Sequence, residues 1–128
     1  MQGDCTMFIW QQEKDRYGKR QLHYILTQGD SCGIKFRPID TSTQEPIDHN
    51  LIDKILFKLY KNDESKQCIF HKEFEYMEDE TWLFDLLPEE NIFSLNRYKY
   101  EIEVTFVGGA INTPCQWYFD IIEQAVCK

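Results

Sequence analysis

The chain has 128 residues, of which 42% are hydrophobic, and it carries a formal net charge of −8. This length suits a single domain with one core, and this composition excludes an intrinsically disordered chain. The negative balance argues against nucleic acid and anionic membranes as partners, because both are bound through clusters of Lys and Arg.

Residues 1–21 are predicted to form an N-terminal extension or an extra strand, ahead of a main domain over residues 22–128. The extension carries the apolar run Phe8, Ile9 and Trp10 in a segment that would otherwise be a tail. Aromatic residues are enriched at protein interfaces, so these three residues are candidate partner-interface residues, with core or strand residues as the alternative. No basic residues precede the apolar run and the run is short, and therefore no signal peptide is expected.

Short runs rich in β-branched and aromatic residues follow, separated by turn signals every 8 to 15 residues. Seven such runs at this spacing are typical of an all-β sandwich. The predicted strands cover residues 22–28, 31–37, 54–60, 67–74, 80–86, 98–107 and 110–122.

The run at residues 51–60 fits two structures. Its apolar residues recur at helical spacing, and Asp48 or Asn50 could cap such a helix. As a strand, the run would place Ile55, Phe57 and Leu59 on one face. We predict a strand, because a lone helix at this point would displace a strand of the sandwich.

The segment from Leu87 to Leu95 is predicted to be a short helical connector between strands. Pro88 stands at a plausible first helical position, and Glu89 and Glu90 follow it in the first turn. Proline and acidic side chains both favour the N-terminal end of a helix.

The stretch after this connector predicts a β-hairpin. From Tyr98 to Phe106 every even position is apolar, and after Gly108 and Gly109 the order inverts. If the two glycines form a two-residue turn, the numbers of paired residues sum to 217 and apolar positions face one another. The predicted pairs are Phe106 with Ile111, Val104 with Thr113, Ile102 with Cys115, Tyr100 with Trp117, and Tyr98 with Phe119.

Two residues of the second hairpin strand do not fit a regular strand with one apolar and one polar face. Pro114 has no N–H to donate, so the strand is expected to be an edge or to be bulged there. Tyr118 lies between Trp117 and Phe119, so aromatic side chains occupy both faces of the strand and one face is outside the core. Tyr118 is therefore a further candidate partner-interface residue.

The sequence predicts no catalytic, metal or cofactor site. His23, His49 and His71 are far apart and match no metal-ligand spacing. The acidic run, which lacks the glycine of a calcium loop, is interpreted as a solvated strand end and turn. Its members are Glu73, Glu75, Glu78, Asp79 and Glu80.

The five cysteines are odd in number and widely spaced, with no C-x-x-C pair. Cys32, Cys68 and Cys115 lie beside apolar residues in predicted strands. All three are expected to be buried and to act as small hydrophobic side chains.

The run TWLFDLLPEENIFSLNRYKYEIEVTFVGGAINTP, together with QGDSCGIKFRPID and PIDHNLIDKILFKL upstream, is similar to a known family. It resembles the small immunoglobulin-like domains of phage tail and baseplate proteins, including the N-terminal domain of baseplate upper proteins from phages of Gram-positive bacteria. The resemblance covers about residues 22 to 122.

The resemblance implies an immunoglobulin-like antiparallel β-sandwich of about seven strands with one short helical connector. It also implies a module without catalysis that is made in the bacterial host cytoplasm and located in the virion, where its partners are other virion subunits and copies of itself. Leu95, Tyr98 and Tyr100 would form a tyrosine-corner-like lock at the start of the penultimate strand. Asn96 and Arg97 replace the turn that usually precedes this Tyr.

Two functions follow as hypotheses. The first is a non-enzymatic structural component of a phage or prophage particle, and this hypothesis rests mainly on the resemblance. The second is a ligand- or carbohydrate-binding β-sandwich module. Such modules present exposed aromatic side chains, and the candidates here are Trp10, Trp82, Trp117 and Tyr118.

Overall fold

The computed structural model describes residues 23–40 and 42–123, which form ten strands and two 3₁₀ helices. The 3₁₀ helices cover His49–Leu51 and Pro88–Glu90. The strands are β1 (Tyr24–Thr27), β2 (Cys32–Phe36), β3 (Ile39–Asp40), β4 (Glu45–Pro46), β5 (Ile52–Lys61), β6 (Cys68–Glu73), β7 (Glu75–Glu78), β8 (Thr81–Leu86), β9 (Asn96–Phe106) and β10 (Ile111–Ile122).

The strands build two facing sheets. The larger has the order β1-β10-β9-β5-β6 and the smaller β2-β8-β7, while β3 and β4 pair separately. In immunoglobulin domains strands B, E and D lie in one sheet, and strands C, F and G lie in the other. Here β2, β8 and β7 correspond in that order to strands B, E and D. Strands β5, β9 and β10 correspond in that order to C, F and G. The predicted all-β sandwich is confirmed, with an immunoglobulin-like strand order.

All seven predicted strands are present, with ends shifted by no more than two residues. Three short strands, β3, β4 and β7, were not predicted. The prediction of a wholly antiparallel sandwich was wrong at β1, which pairs parallel to β10 with Tyr24 opposite Phe119. The parallel pairing follows from the path of the chain, because β1 lies beside the last strand of one sheet before the chain crosses to β2 in the other.

The predicted strand at residues 54–60 is confirmed as part of β5. Asp48 does cap a helix, but this is only the 3₁₀ turn at His49–Leu51, where its carboxylate accepts the N–H of Asn50 at 2.9 Å. Beyond this turn Ile55, Phe57 and Leu59 are buried on one face of the strand. The helical spacing of the run therefore reflects a turn that leads directly into a strand.

The hairpin register was predicted correctly in its second half and wrongly in its first. The loop contains three residues, 107–109, since Thr105 pairs with Ile111 and the N–H of Phe106 donates to the carbonyl of Ala110 at 2.8 Å. Paired numbers near the loop thus sum to 216. A bulge between Asn112 and Cys115 then restores the predicted sum of 217.

The bulge accommodates the extra residue that an odd loop introduces. It contains Pro114, for which an edge or a bulge was predicted. Beyond it Cys115 and Phe119 are buried as expected, opposite Ile102 and Tyr98. Before it the predicted inward position of Ile111 was wrong, and this side chain is exposed.

One aromatic core joins the two sheets. Phe57 from the larger sheet stacks on Phe84 from the smaller sheet, with ring centroids 4.4 Å apart. The ring centroids of Tyr100 and Phe119 each lie 5.8 Å from that of Phe57. Aromatic pairs at these distances contribute beyond their buried area, so this group is the centre of the sandwich.

The predicted connector begins with the 3₁₀ helix Pro88–Glu90, and a second 3₁₀ turn precedes β5. The Glu90 carboxylate accepts the N–H of Leu87 at 2.8 Å and the ammonium of Lys72 at 2.8 Å. Next to this helix, Asn91 is the one polar residue that is buried among those the structure describes. Its side-chain amide donates to the carbonyls of Thr27 and Asp30, both at 2.9 Å.

We expect Gly109→Val to lower the free energy of unfolding by about 1–3 kcal/mol. Gly109 has φ 97°, and a Cβ added there would meet nothing within 4 Å. The cost therefore comes from backbone strain rather than from a clash. Ala110→Val is the matched control, because Ala110 directly follows this loop, is also exposed and has no positive φ. Urea denaturation measures both variants, and equal losses would contradict a strained Gly109.

Candidate functional site

The structure locates one of the four candidate interface residues, since Phe8, Ile9 and Trp10 lie outside the described residues. Tyr118 is on the outer face of the larger sheet and is half-buried. The guanidinium of Arg97 lies 4.8 Å from the centre of its ring, and the ammonium of Lys99 lies 5.8 Å from it. Charged side chains on the same sheet therefore cover part of this tyrosine.

Arg97 is held in place by an ion pair. Its Nε and Nη2 donate to the two carboxylate oxygens of Asp120 at 2.9 and 3.0 Å, and His23 approaches the same carboxylate at 3.0 Å. The hydrogen bonds from Arg97 hold the pKa of Asp120 below its ordinary value, while burial acts in the opposite direction. Tyr118 thus belongs to a structured polar cluster rather than to an open apolar patch.

The predicted lock at the start of β9 involves Tyr98, and its partner is Ser94. The Tyr98 hydroxyl donates to the Ser94 carbonyl at 2.8 Å and lies 2.8 Å from the Ser94 hydroxyl. This is the hydrogen bond of a tyrosine corner, from a Tyr at the start of strand F to the backbone a few residues upstream. Leu95 is 49% exposed, and Tyr100 is buried in the core.

A groove with a volume of about 320 Å³ lies on the larger sheet. Tyr60 on β5, Glu101 on β9, and Gln116 and Trp117 on β10 line it, together with the β5–β6 turn. Among the aromatic candidates for carbohydrate contact, Trp117 is in this groove and Trp82 is buried. Trp10 lies outside the described residues.

The groove has a mixed charge within a strongly acidic protein. Lys61, Lys66 and Lys99 line it, with Asp63 and Glu101 as the acidic partners. Burial and the adjacent Glu101 raise the pKa of Tyr60, whose hydroxyl is hydrogen-bonded to that carboxylate. Ammonium donors and carboxylate acceptors therefore lie in the same groove as an indole ring.

A second polar cluster joins the 3₁₀ turn before β5 to the β7–β8 turn. His49 Nδ1 lies 2.7 Å from Glu80 Oε1, and the His49 N–H donates to Glu80 Oε2 at 2.7 Å. The imidazole stacks on Tyr76 at 4.1 Å. Hydrogen bonds from the His49 side chain and backbone hold the pKa of Glu80 below its ordinary value.

Sequence reasoning missed this cluster, because it compared the histidines only with one another. The carboxylate of Asp48 lies beside this pair. Asp48, His49 and Glu80 each offer one atom of a type that can ligate a metal ion, and these three atoms lie within 4.8 Å of one another. The hydrogen bonds already satisfy Glu80, and the arrangement links the two sheets. The other four residues of the acidic run are exposed, as predicted.

The cysteines only partly follow the prediction. Cys32 and Cys115 are buried, as expected. Cys68 is exposed at the start of β6, so the expectation that it is buried was wrong. The reason is its place at an edge of the larger sheet beside the β5–β6 turn, where the smaller sheet does not cover it.

An apolar surface lies at the end of the sandwich where the β9–β10 hairpin turns. Leu51 is 57% exposed, Val107 65% and Ile111 62%. The Val107 N–H donates to the Leu51 carbonyl at 2.9 Å, which joins the hairpin loop to the 3₁₀ turn before β5. We call these three residues the apolar tip.

Val107 and Ile111 of the apolar tip belong to a long uncharged stretch. No Asp, Glu, Lys or Arg occurs from Val104 to Phe119, although 28% of the chain is charged. Residues 107–112 of this stretch are exposed, and an uncharged region in an otherwise charged surface is typical of a contact site. The signal was present in the sequence, but the predicted register placed Ile111 in the core.

Among residues 23–40 and 42–123, no helix has the length and apolar character needed to cross a membrane. No family model matches the sequence, and no curated protein matches it. The geometry of the described residues therefore carries the functional argument.

Proposed function

We propose that the protein is a non-enzymatic structural component of a phage or prophage particle, acting through contacts with other subunits and with copies of itself. Support comes from the resemblance to tail and baseplate domains and from the immunoglobulin-like strand order. The tyrosine-corner hydrogen bond between Tyr98 and Ser94 agrees with that class of sandwich.

The apolar tip carries the assembly part of this proposal. Its three large aliphatic side chains are each more than half exposed at one end of a rigid sandwich. Burying such side chains against a partner is favourable by about 25 cal/mol per Å² of apolar surface removed from water. No charged side chain of the hairpin loop would have to be desolvated in that contact.

We expect the double variant Val107→Asp, Ile111→Asp to lose self-association and to remain folded. Aspartate at these positions would place a charge where the contact excludes water, and both sites are solvent-exposed in the single chain. Light scattering coupled to size-exclusion chromatography over a range of concentrations measures the effect. The expected shift is at least tenfold toward the monomer.

Ile92→Asp is the matched control. Ile92 is 80% exposed and precedes β9, whereas Val107 and Ile111 follow β9, so Ile92 lies near the opposite end of the sandwich. Equal loss of association in this control would show a general charge effect and contradict the tip as the contact. If the wild-type chain stays monomeric at all concentrations, this result would contradict the proposed contact between copies.

The particle itself tests the remaining part of the proposal. Particles purified by density gradient from the bacterium that carries the gene are expected to contain the wild-type chain and to lack the double variant. Consistent absence of the wild-type chain from such particles would overturn the structural role.

A further inference from the structure

The groove on the larger sheet combines features that the assembly role does not require. It spans three strands, because Tyr60 of β5 pairs with Lys99 of β9, and Glu101 of β9 pairs with Gln116 of β10. The β5–β6 turn, through Asn62 and Asp63, closes one side. The groove is therefore built on the most central strands of the sheet, which hold its lining residues in fixed positions.

Trp117 supplies an aromatic wall whose orientation is set by its neighbours. The side chain packs partly against the core, and its ring lies 4.8 Å from the ring of Tyr118 at an interplanar angle of 60°. An indole held in this way loses little conformational entropy when a ligand packs against it.

The polar groups around this wall offer both kinds of hydrogen bond. The Gln116 and Asn62 amides donate and accept, the lysines donate, and Asp63 and Glu101 accept. Three ammonium groups and two carboxylates line the same groove, so the charge of the lining is nearly balanced. A phosphate would meet the two carboxylates, whereas a neutral hydroxyl-rich ligand can use donors and acceptors alike.

We infer that this groove is a binding subsite for a neutral saccharide ring. A pyranose has an apolar face that can pack on an indole and a rim of hydroxyl groups that both donate and accept. The volume of about 320 Å³ is at the lower end of the range for small-molecule sites, which suits one or two sugar rings. Such a site would add surface recognition to the proposed structural role.

The first test is a glycan array that displays neutral hexose, N-acetylhexosamine and uronate oligomers. Binding to one or more neutral oligomers is expected, with a dissociation constant on the order of 1 mM for a single ring. Binding only to uronate oligomers would overturn the assignment to a neutral sugar. Absence of binding to every oligomer would overturn the site itself.

NMR titration with the best neutral glycan, or with N-acetylglucosamine if several bind equally, locates the contact. The indole N–H of Trp117 is expected to shift, while that of the buried Trp82 stays in place. A shift confined to residues outside the groove would contradict the inference. This readout is independent of assembly, so either proposal can fail while the other stands.

Variants complete the test. Trp117→Ala is expected to weaken binding at least tenfold, and Asn62→Ala, in an exposed turn, several-fold with no change in folding. Tyr76→Ala is the control, because Tyr76 is an exposed aromatic residue on the smaller sheet. Unchanged binding by both groove variants, or an equal loss in Tyr76→Ala, would overturn the inference.

Discussion

Replacing Tyr100 by alanine is expected to lower the free energy of unfolding by about 3–5 kcal/mol. Tyr100 is fully buried near the middle of β9, and its ring lies 5.3 Å from that of Tyr24 and 5.8 Å from that of Phe57. Truncation leaves a cavity between the rings of Tyr24 on β1, Phe57 on β5 and Phe119 on β10. Those rings are packed from several sides, so the cavity cannot close by a small local movement.

Trp117→Ala provides the comparison, because Trp117 faces Tyr100 across the hairpin. Its ring is only partly buried, so we expect a smaller loss, about half that of Tyr100→Ala. Urea denaturation followed by circular dichroism measures both variants. A loss below about 1 kcal/mol for Tyr100→Ala would contradict the core described above.

Asn91→Asp is expected to destabilise the fold by about 3 kcal/mol or more at neutral pH. The Asn91 side-chain amide donates to the carbonyls of Thr27 and Asp30, and the backbone carbonyl of Asn91 accepts the N–H of Gly29 at 3.2 Å. These contacts join the β1–β2 turn to the connector between the sheets. An ionised carboxylate of the same shape would face two carbonyl oxygens in a buried site and would donate nothing.

The pH dependence of this variant separates charge from shape. Burial beside two carbonyls should raise the carboxyl pKa in the folded variant above the unfolded value. The deficit relative to the wild type should then shrink at low pH, where the neutral acid can donate one hydrogen bond, and grow as pH rises. Asn91→Ala, which loses both donors without adding a charge, should cost about 2–3 kcal/mol at every pH. A pH-independent deficit in Asn91→Asp would contradict this account.

Local patterns predicted most of the fold. The alternation in β9 and the turn signals around each strand depend on residues close together in the chain, so all seven strands could be located. The choice of a strand for residues 54–60 used only the β context of the chain, and β5 confirms it. The proline-led connector was similarly readable, because Pro88 and the glutamates after it act on their own first turn.

The sites were much less predictable. The His49–Glu80 pair joins residues 31 positions apart, and the Asn91 contacts reach back 64 and 61 positions. Nothing in the immediate neighbourhood of Asn91 distinguishes it from an exposed turn residue. The groove depends on three strands lying side by side, so its residues share no local signal.

The sequence by itself determined that this chain forms strands and which face of most of them is apolar, because both properties repeat with a short period along the chain. Only the tertiary structure decided that β1 runs parallel to β10, since that depends on where the chain crosses between sheets. It also decided that the hairpin has a three-residue loop corrected by a bulge at Pro114. The three-residue loop, which pairs Ile111 with Thr105, exposes Ile111 beside Val107 and so produces the apolar tip.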